Sequence, residues 1–166
     1  MNRMHELLQI LADRKLTLGS VESMTGGLFA AKVTEIPGAS KVFKGSLVTY
    51  SAELKEKLLG IEHDFIEQNG VVSDAVAAEM ARKGRVALGV DVALAVTGNA
   101  GPDAEPGKAE VGTVCFALAT KDAVWAFPYQ FKGERNEIRA AAVDMMVQLA
   151  LGSFPAAEKK KSFRYF

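Results

Sequence analysis

Leu7, Leu8, Ile10 and Leu11 recur at helical spacing, and the mixed run at residues 16–21 behind them predicts a strand. Gly26-Gly27 then leads into Leu28-Phe29-Ala30-Ala31-Lys32-Val33, a run of helix formers stopped by Pro37-Gly38, so the chain opens as helix, strand, glycine turn, helix. A second strand is expected at residues 46–50. Ser51 is placed to cap a helix that passes through Lys55 and Leu58 and ends at Gly60. Ser73 caps a longer helix, with Val76, Met80, Val86 and Leu88 on its apolar side and Gly89 at its end.

The continuous apolar run at residues 91–96 predicts a buried strand, followed by a loop rich in Gly, Pro and Asp from Thr97 to Glu110. Residues 111–120 and 124–131 read as an antiparallel hairpin joined by Lys121-Asp122-Ala123. The final helix covers about residues 134–151, with Ile138, Ala142, Met145, Met146 and Leu149 turned inward. Helices interspersed with about five strands predict a three-layer α/β/α sandwich with a mixed, mostly parallel sheet. Residues 1–152 form one domain in this reading. Residues 153–166, with Lys159-Lys160-Lys161, read as a polar, basic and solvated tail.

A hydrophobic content of 49% is enough to fill a core without disulfides or metal. The single cysteine, Cys115, lies in the apolar run Val114-Cys115-Phe116 and reads as a buried small hydrophobe rather than a nucleophile. Twenty basic and twenty acidic side chains cancel, so no global field attracts nucleic acid or an anionic membrane. The first residues are polar and no run approaches the ~18 apolar residues of a membrane span, so a cytoplasmic protein is expected, with neither nucleic acid nor membrane as partner.

Four polar segments fall where strands turn into loops, the place where ligands bind in open α/β sheets. Glu22-Ser23-Met24-Thr25-Gly26-Gly27 joins a strand to a helix, so Ser23 would lie beside N–H groups at a positive helix end suited to an anion or an oxyanion. The same segment could simply cap its helix through Ser23 or Thr25. Tyr50 falls at a strand end and Lys55 one turn into the next helix; a lysine activates serine only when desolvation or nearby positive charge lowers its pKa, and Lys55 taken alone reads as a surface lysine. Thr97-Gly98-Asn99-Ala100-Gly101-Pro102 follows a buried strand, and its glycines allow backbone to approach a ligand. Arg135 and Arg139, one turn apart, could fork onto a phosphate or pair with Glu134 and Glu137.

Together the four segments resemble the CinA C-terminal domain family, whose stand-alone members include bacterial nicotinamide mononucleotide (NMN) deamidases. The resemblance covers about residues 5–150 and is carried by Glu-Ser-x-Thr-Gly-Gly at 22–27, Val-Thr-Tyr-Ser-x-x-x-Lys at 48–55, Thr-Gly-x-Ala-Gly-Pro at 97–102 and Val-Gly-Thr-Val at 111–114. It implies a hydrolase that converts NMN to nicotinic acid mononucleotide and ammonia in pyridine nucleotide recycling, without metal or organic cofactor, as a homo-oligomer.

Carried over by motif, Ser23 is the nucleophile and Lys55 its general base, with Tyr50 and Ser40 in the supporting network. Thr25, Gly26 and Gly27, then Thr97, Gly98, Asn99 and Gly101, would contact substrate, with Arg135 and Arg139 as phosphate candidates. Met24 stands where the family usually has cysteine and Asn99 where it has isoleucine, and residues 103–108 lack the usual run of glycines. The alternative from another class is a non-catalytic pyridine-nucleotide-binding module. A role in direct DNA contact is disfavoured by the zero net charge.

Overall fold

The computed structural model describes residues 2–154. Helix α1 (Arg3–Asp13) begins at Asn2, whose side chain accepts from the Met4 and His5 N–H groups, and buries Met4, Leu7, Leu8 and Leu11. Strand β1 (Leu18–Glu22) and the six-residue helix α2 (Leu28–Val33) flank the glycine turn. A 3-10 turn at Ala39–Lys41 precedes β2 (Phe43–Val48). Three helices follow: α3 (Ala52–Leu59), α4 (His63–Asn69) and α5 (Asp74–Leu88). Strands β3 (Val92–Gly98), β4 (Thr113–Ala119) and β5 (Val124–Gln130) lead to α6 (Arg135–Ser153).

The sheet order is β2-β1-β3-β4-β5. β1 pairs in parallel with both β2 and β3, whereas β3–β4 and β4–β5 are antiparallel, so β4 alone runs against the other four. This is the mixed, mostly parallel sheet that the sequence predicts. One face packs against α1, α2 and α6 through residues such as Leu11, Phe29, Leu94, Phe116 and Met146. The other packs against α5, with α3 and α4 beside it, through Val21, Leu59, Ile66, Val76, Ala81 and Ala117.

Helix α5 lies close on the sheet because its inner face is lined by small residues. A Cβ at Gly84 would fall 2.2 Å from a Val21 methyl carbon. The buried stripe runs through Ala77, Met80, Ala81 and Gly84, which puts Val86 on the opposite side, 72% exposed; the expectation that Val86 faces inward is corrected. Helix α4 was not expected: it is seven residues long, has no side-chain cap and buries only Ile66, so its pattern is too short to show a period. The boundary of the expected tail shifts as well, since Ser153 is helical and Phe154 is buried against the core. The remainder of that segment lies outside the described residues. Among the described residues no helix is long and apolar enough to cross a membrane.

Candidate active site

Glu22, the last residue of β1, sits opposite Val48 of β2 and Val96 of β3 at the carboxyl ends of three parallel strands. Ser23 continues that line, donating its N–H to Val96 O at 3.1 Å, and Thr49 does the same on the other side by donating to Glu22 O at 2.9 Å. Side chains alternate along the strand, so Val21 and Ser23 face the α5 layer and Glu22 and Met24 face the α2 and α6 layer.

Helix α3 brings Lys55 to the same face as Ser23. Ser51 caps the helix by accepting from Leu54 N–H at 3.1 Å, as expected, and this fixes the first turn so that Lys55 points inward beside Leu59. Its Nζ lies 2.9 Å from Ser23 Oγ and 2.6 Å from Thr49 O. The reading of Lys55 as a surface lysine is thereby overturned: the residue has no exposed surface. No carboxylate lies within ion-pair distance of it among the described residues. Burial disfavours the ammonium, and the pKa falls from 10.5 to about 8. Nζ donates to both oxygens; once neutral, the amine keeps its bond to Thr49 O and has a lone pair within reach of the Ser23 hydroxyl proton.

The turn after Ser23 is organised by a residue absent from the sequence-based site. Glu22 has no exposed surface, and its carboxylate accepts from Thr25 Oγ1 at 2.7 Å, Gly27 N at 3.1 Å, Phe29 N at 3.0 Å, Ala30 N at 3.0 Å and Ser46 Oγ at 3.1 Å. The positive end of α2, expected to be open to an anion, is therefore filled by the protein's own carboxylate. Gly26 and Gly27, with φ of 60° and 103°, allow the chain to fold back over it. Gly26 N–H goes to Ser23 O at 3.0 Å. Within the turn, the N–H groups of Met24 and Thr25 are left without an acceptor among the described residues.

The other expected site residues divide into two groups. Tyr50 touches Ser23 through its backbone, whose carbonyl lies 3.4 Å from Ser23 Oγ, while its phenol oxygen accepts from Arg135 at 3.2 Å. Arg135 also donates to Gly101 O, so it ties the β3–β4 loop to the rim of the site. Thr97 is buried beside Ser23 and donates to Val71 O at 3.0 Å. Gly98 packs tightly against Val114, where a Cβ would fall 2.8 Å from a methyl carbon.

Three residues are placed otherwise. Asn99 was expected to present its amide to a ligand, yet it donates to Asp103 O and Ala109 O and accepts from Gly101 N–H at 2.9 Å, stitching its own loop. Arg139 is engaged with the carbonyls of Met24 and Thr25 rather than with an open anion site. Ser40 lies in the 3-10 turn before β2, exposed, at the amino end of the strand; since β1 and β2 are parallel, it is at the far end of the sheet from Ser23 and Lys55. Within this chain it does not join their network.

Cys115, paired with Thr97 across the sheet, is buried and its thiol is pushed up to about 12 by burial, assisted by the charge of Asp74 and a hydrogen bond to it. It stays protonated at neutral pH, which agrees with the reading of an unreactive core residue. No group of three or more His, Cys, Asp or Glu among the described residues is arranged to hold a metal. A cleft of about 540 Å³ lined by Arg14, Asp91 and Trp125 opens at the opposite end of the sheet and includes none of the residues just described.

The sequence profile of the CinA C-terminal domain matches residues 2–153. The chain belongs to the CinA C-terminal domain family. It is 45% identical over 131 residues to a CinA-like protein of Geobacter sulfurreducens, an alignment that covers 79% of this chain and 32% of that protein. The chain thus spans about a third of the length of the curated relatives it matches.

Among solved structures, a CinA superfamily protein of Escherichia coli superposes with a TM-score of 0.86 at 31% identity, over 90% of this chain and 88% of that one. A competence or damage-inducible protein of Enterobacter asburiae superposes with a TM-score of 0.87 at 28% identity, over 93% and 100%. The resemblance carried by the four CinA segments is therefore borne out at the level of family and fold.

Proposed function

We propose that this CinA domain is an amidohydrolase acting on the carboxamide of NMN, with Ser23 as nucleophile and Lys55 as general base. The observation that carries the reading is the contact of 2.9 Å between Ser23 Oγ and a buried lysine that has no carboxylate partner. A lysine buried this way and held near pKa 8 supplies a neutral amine at physiological pH, which a surface lysine does not.

Ser23 Oγ attacks the amide carbon and gives its proton to Lys55 Nζ. The carbonyl oxygen takes up negative charge beside the Met24 and Thr25 N–H groups, the unused donors of the turn. The C–N bond then breaks as Lys55 returns the proton to the departing nitrogen, which leaves as ammonia, and an acyl ester remains on Ser23. Water attacks that ester and gives a proton to Lys55, which passes it back to Ser23 Oγ as the acid is released. In this reading Arg135, exposed and held by Tyr50 and Gly101, meets the 5′-phosphate with its remaining N–H groups. In the same reading Gly26, Gly27, Thr97 and Gly98 contact the substrate between these two points.

The test is release of ammonia and nicotinic acid mononucleotide from NMN by purified protein in the presence of EDTA. Ser23→Ala should lower kcat by a factor on the order of 10³ or more with the fold intact. Near-normal turnover by that variant removes Ser23 from its role. Tight NMN binding without turnover by the wild type would instead favour a pyridine-nucleotide-binding module.

A further inference from the structure

Arg139 projects from the second turn of α6 with its guanidinium engaged on two edges. Nε donates to Met24 O at 3.1 Å and Nη2 to Thr25 O at 2.8 Å, so adjacent donors hold successive carbonyls of the turn after the nucleophile. Nη1 donates to Asn136 Oδ1 at 3.0 Å, which holds the group from its own helix. A guanidinium committed in this way is part of the turn.

The consequence lies on the other side of those peptide planes. In a trans peptide the C=O and N–H of one unit point in opposite directions. The Thr25–Gly26 unit illustrates it: Thr25 O faces Arg139, and Gly26 N–H turns away to Ser23 O at 3.0 Å. The preceding unit is held by the same guanidinium. With Met24 O drawn toward the α6 layer, Thr25 N–H is directed to the opposite face, where Ser23 and Lys55 lie. No acceptor among the described residues takes it. A cationic donor on the carbonyl also withdraws electron density from the amide and strengthens its N–H as a donor.

We infer that Arg139 is a positioning residue that aims and polarises the Met24–Thr25 peptide, so that Thr25 N–H stabilises the oxyanion formed on Ser23. This rests on the amidohydrolase reading above and assigns Arg139 to the chemical step rather than to the phosphate. Glu22 holds the same turn as well, through Thr25 Oγ1 and Gly27 N–H, so two buried or half-buried charges fix the segment.

The experiment compares wild type, Arg139→Lys, Arg139→Ala and Ser23→Ala on NMN and on nicotinamide riboside, which lacks the phosphate. Arg139→Ala should lower kcat by about 10²–10³, the range set by loss of one oxyanion donor, by the same factor on both substrates, with KM for NMN changed less than about threefold. Arg139→Lys should remain well below wild type because a point charge cannot hold two carbonyls in register. Free guanidinium at low millimolar concentration should restore part of the kcat of Arg139→Ala and none of that of Ser23→Ala.

A KM for NMN raised tenfold or more, with riboside hydrolysis unaffected, would assign Arg139 to the phosphate and overturn the inference. So would an unchanged kcat. Should Arg139→Ala not fold, Arg139→Lys carries the comparison, and labelling of Ser23 by an alkyl fluorophosphonate gives a second readout. That probe's P=O seeks the same N–H, so labelling should slow in parallel with kcat, and an unchanged labelling rate overturns the inference. Full activity in Ser23→Ala brings down the nucleophile and this inference together, whereas failure confined to the Arg139 variants leaves the nucleophile standing.

Discussion

Replacing Lys55 by methionine should abolish turnover and make the protein more stable at neutral pH. The lysine has no exposed surface, and burial lowers its pKa from 10.5 to about 8. Below pH 8 both folded and unfolded chains hold the proton, and the folded state bears the full cost of a buried ammonium. Between pH 8 and 10.5 the unfolded chain keeps a proton that the folded chain has released, so wild-type stability rises with pH through that window and the cost is gone above it. A tenfold change in proton affinity corresponds to about 1.4 kcal/mol, which makes the cost on the order of 3 kcal/mol at pH 7.

Methionine keeps most of the stem volume but loses the contacts to Thr49 O and Ser23 Oγ, worth about 1 kcal/mol, so a net gain of about 2 kcal/mol is expected at pH 7. Urea denaturation of both proteins at pH 7 and pH 10.5 measures it. The variant's advantage should shrink by about 3 kcal/mol between the two values, and titrations common to both proteins cancel in that difference. A stability difference independent of pH would mean that Lys55 titrates as an ordinary lysine and would refute the base assignment. Activity gives the companion signal. At pH 7 a pKa near 8 leaves about a tenth of Lys55 neutral, against roughly 0.03% for a surface lysine, so wild-type kcat/KM should rise about tenfold from pH 6 to 7 and level off above 8.

Arg135→Ala should raise KM for NMN by about ten- to a hundredfold, the worth of a bidentate charge-assisted contact, and leave the riboside unaffected; equal losses on both would make Arg135 a structural tie between Tyr50 and Gly101. Glu22→Gln turns an acceptor of five close donors into a group whose NH2 opposes some of them, and calorimetry should show a loss of about 2–4 kcal/mol, a Tm lower by roughly 5–15 °C. An unchanged Tm would show that the turn keeps its shape without the charge.

The layers and most elements were legible because their patterns are long: α1, α5 and α6 carry helical periodicity, and β3 is a continuous apolar run. Lys55 was misplaced for a reason visible in hindsight. Ala52, Lys55 and Leu59 share a face of α3, and that face is buried while Leu58 is 49% exposed; a lysine in the apolar stripe of a short helix is the signal of a buried amine. Ser40 was carried by motif, and its distance from the site follows only from the direction of β2, which no local pattern states.

Glu22 and Arg139 are the harder cases. Each is a charge held mainly by backbone groups: three N–H groups of the α2 turn for Glu22, two carbonyls for Arg139. Every residue has a C=O and every one but proline an N–H, so nothing in the sequence marks which of them a buried charge will meet. The motif Glu-Ser-x-Thr-Gly-Gly shows where the turn is, but what its carboxylate does is decided by the fold. It occupies the helix end that would otherwise draw an anion, and thereby leaves the Met24 and Thr25 N–H groups, beside a buried amine, as the turn's open donors.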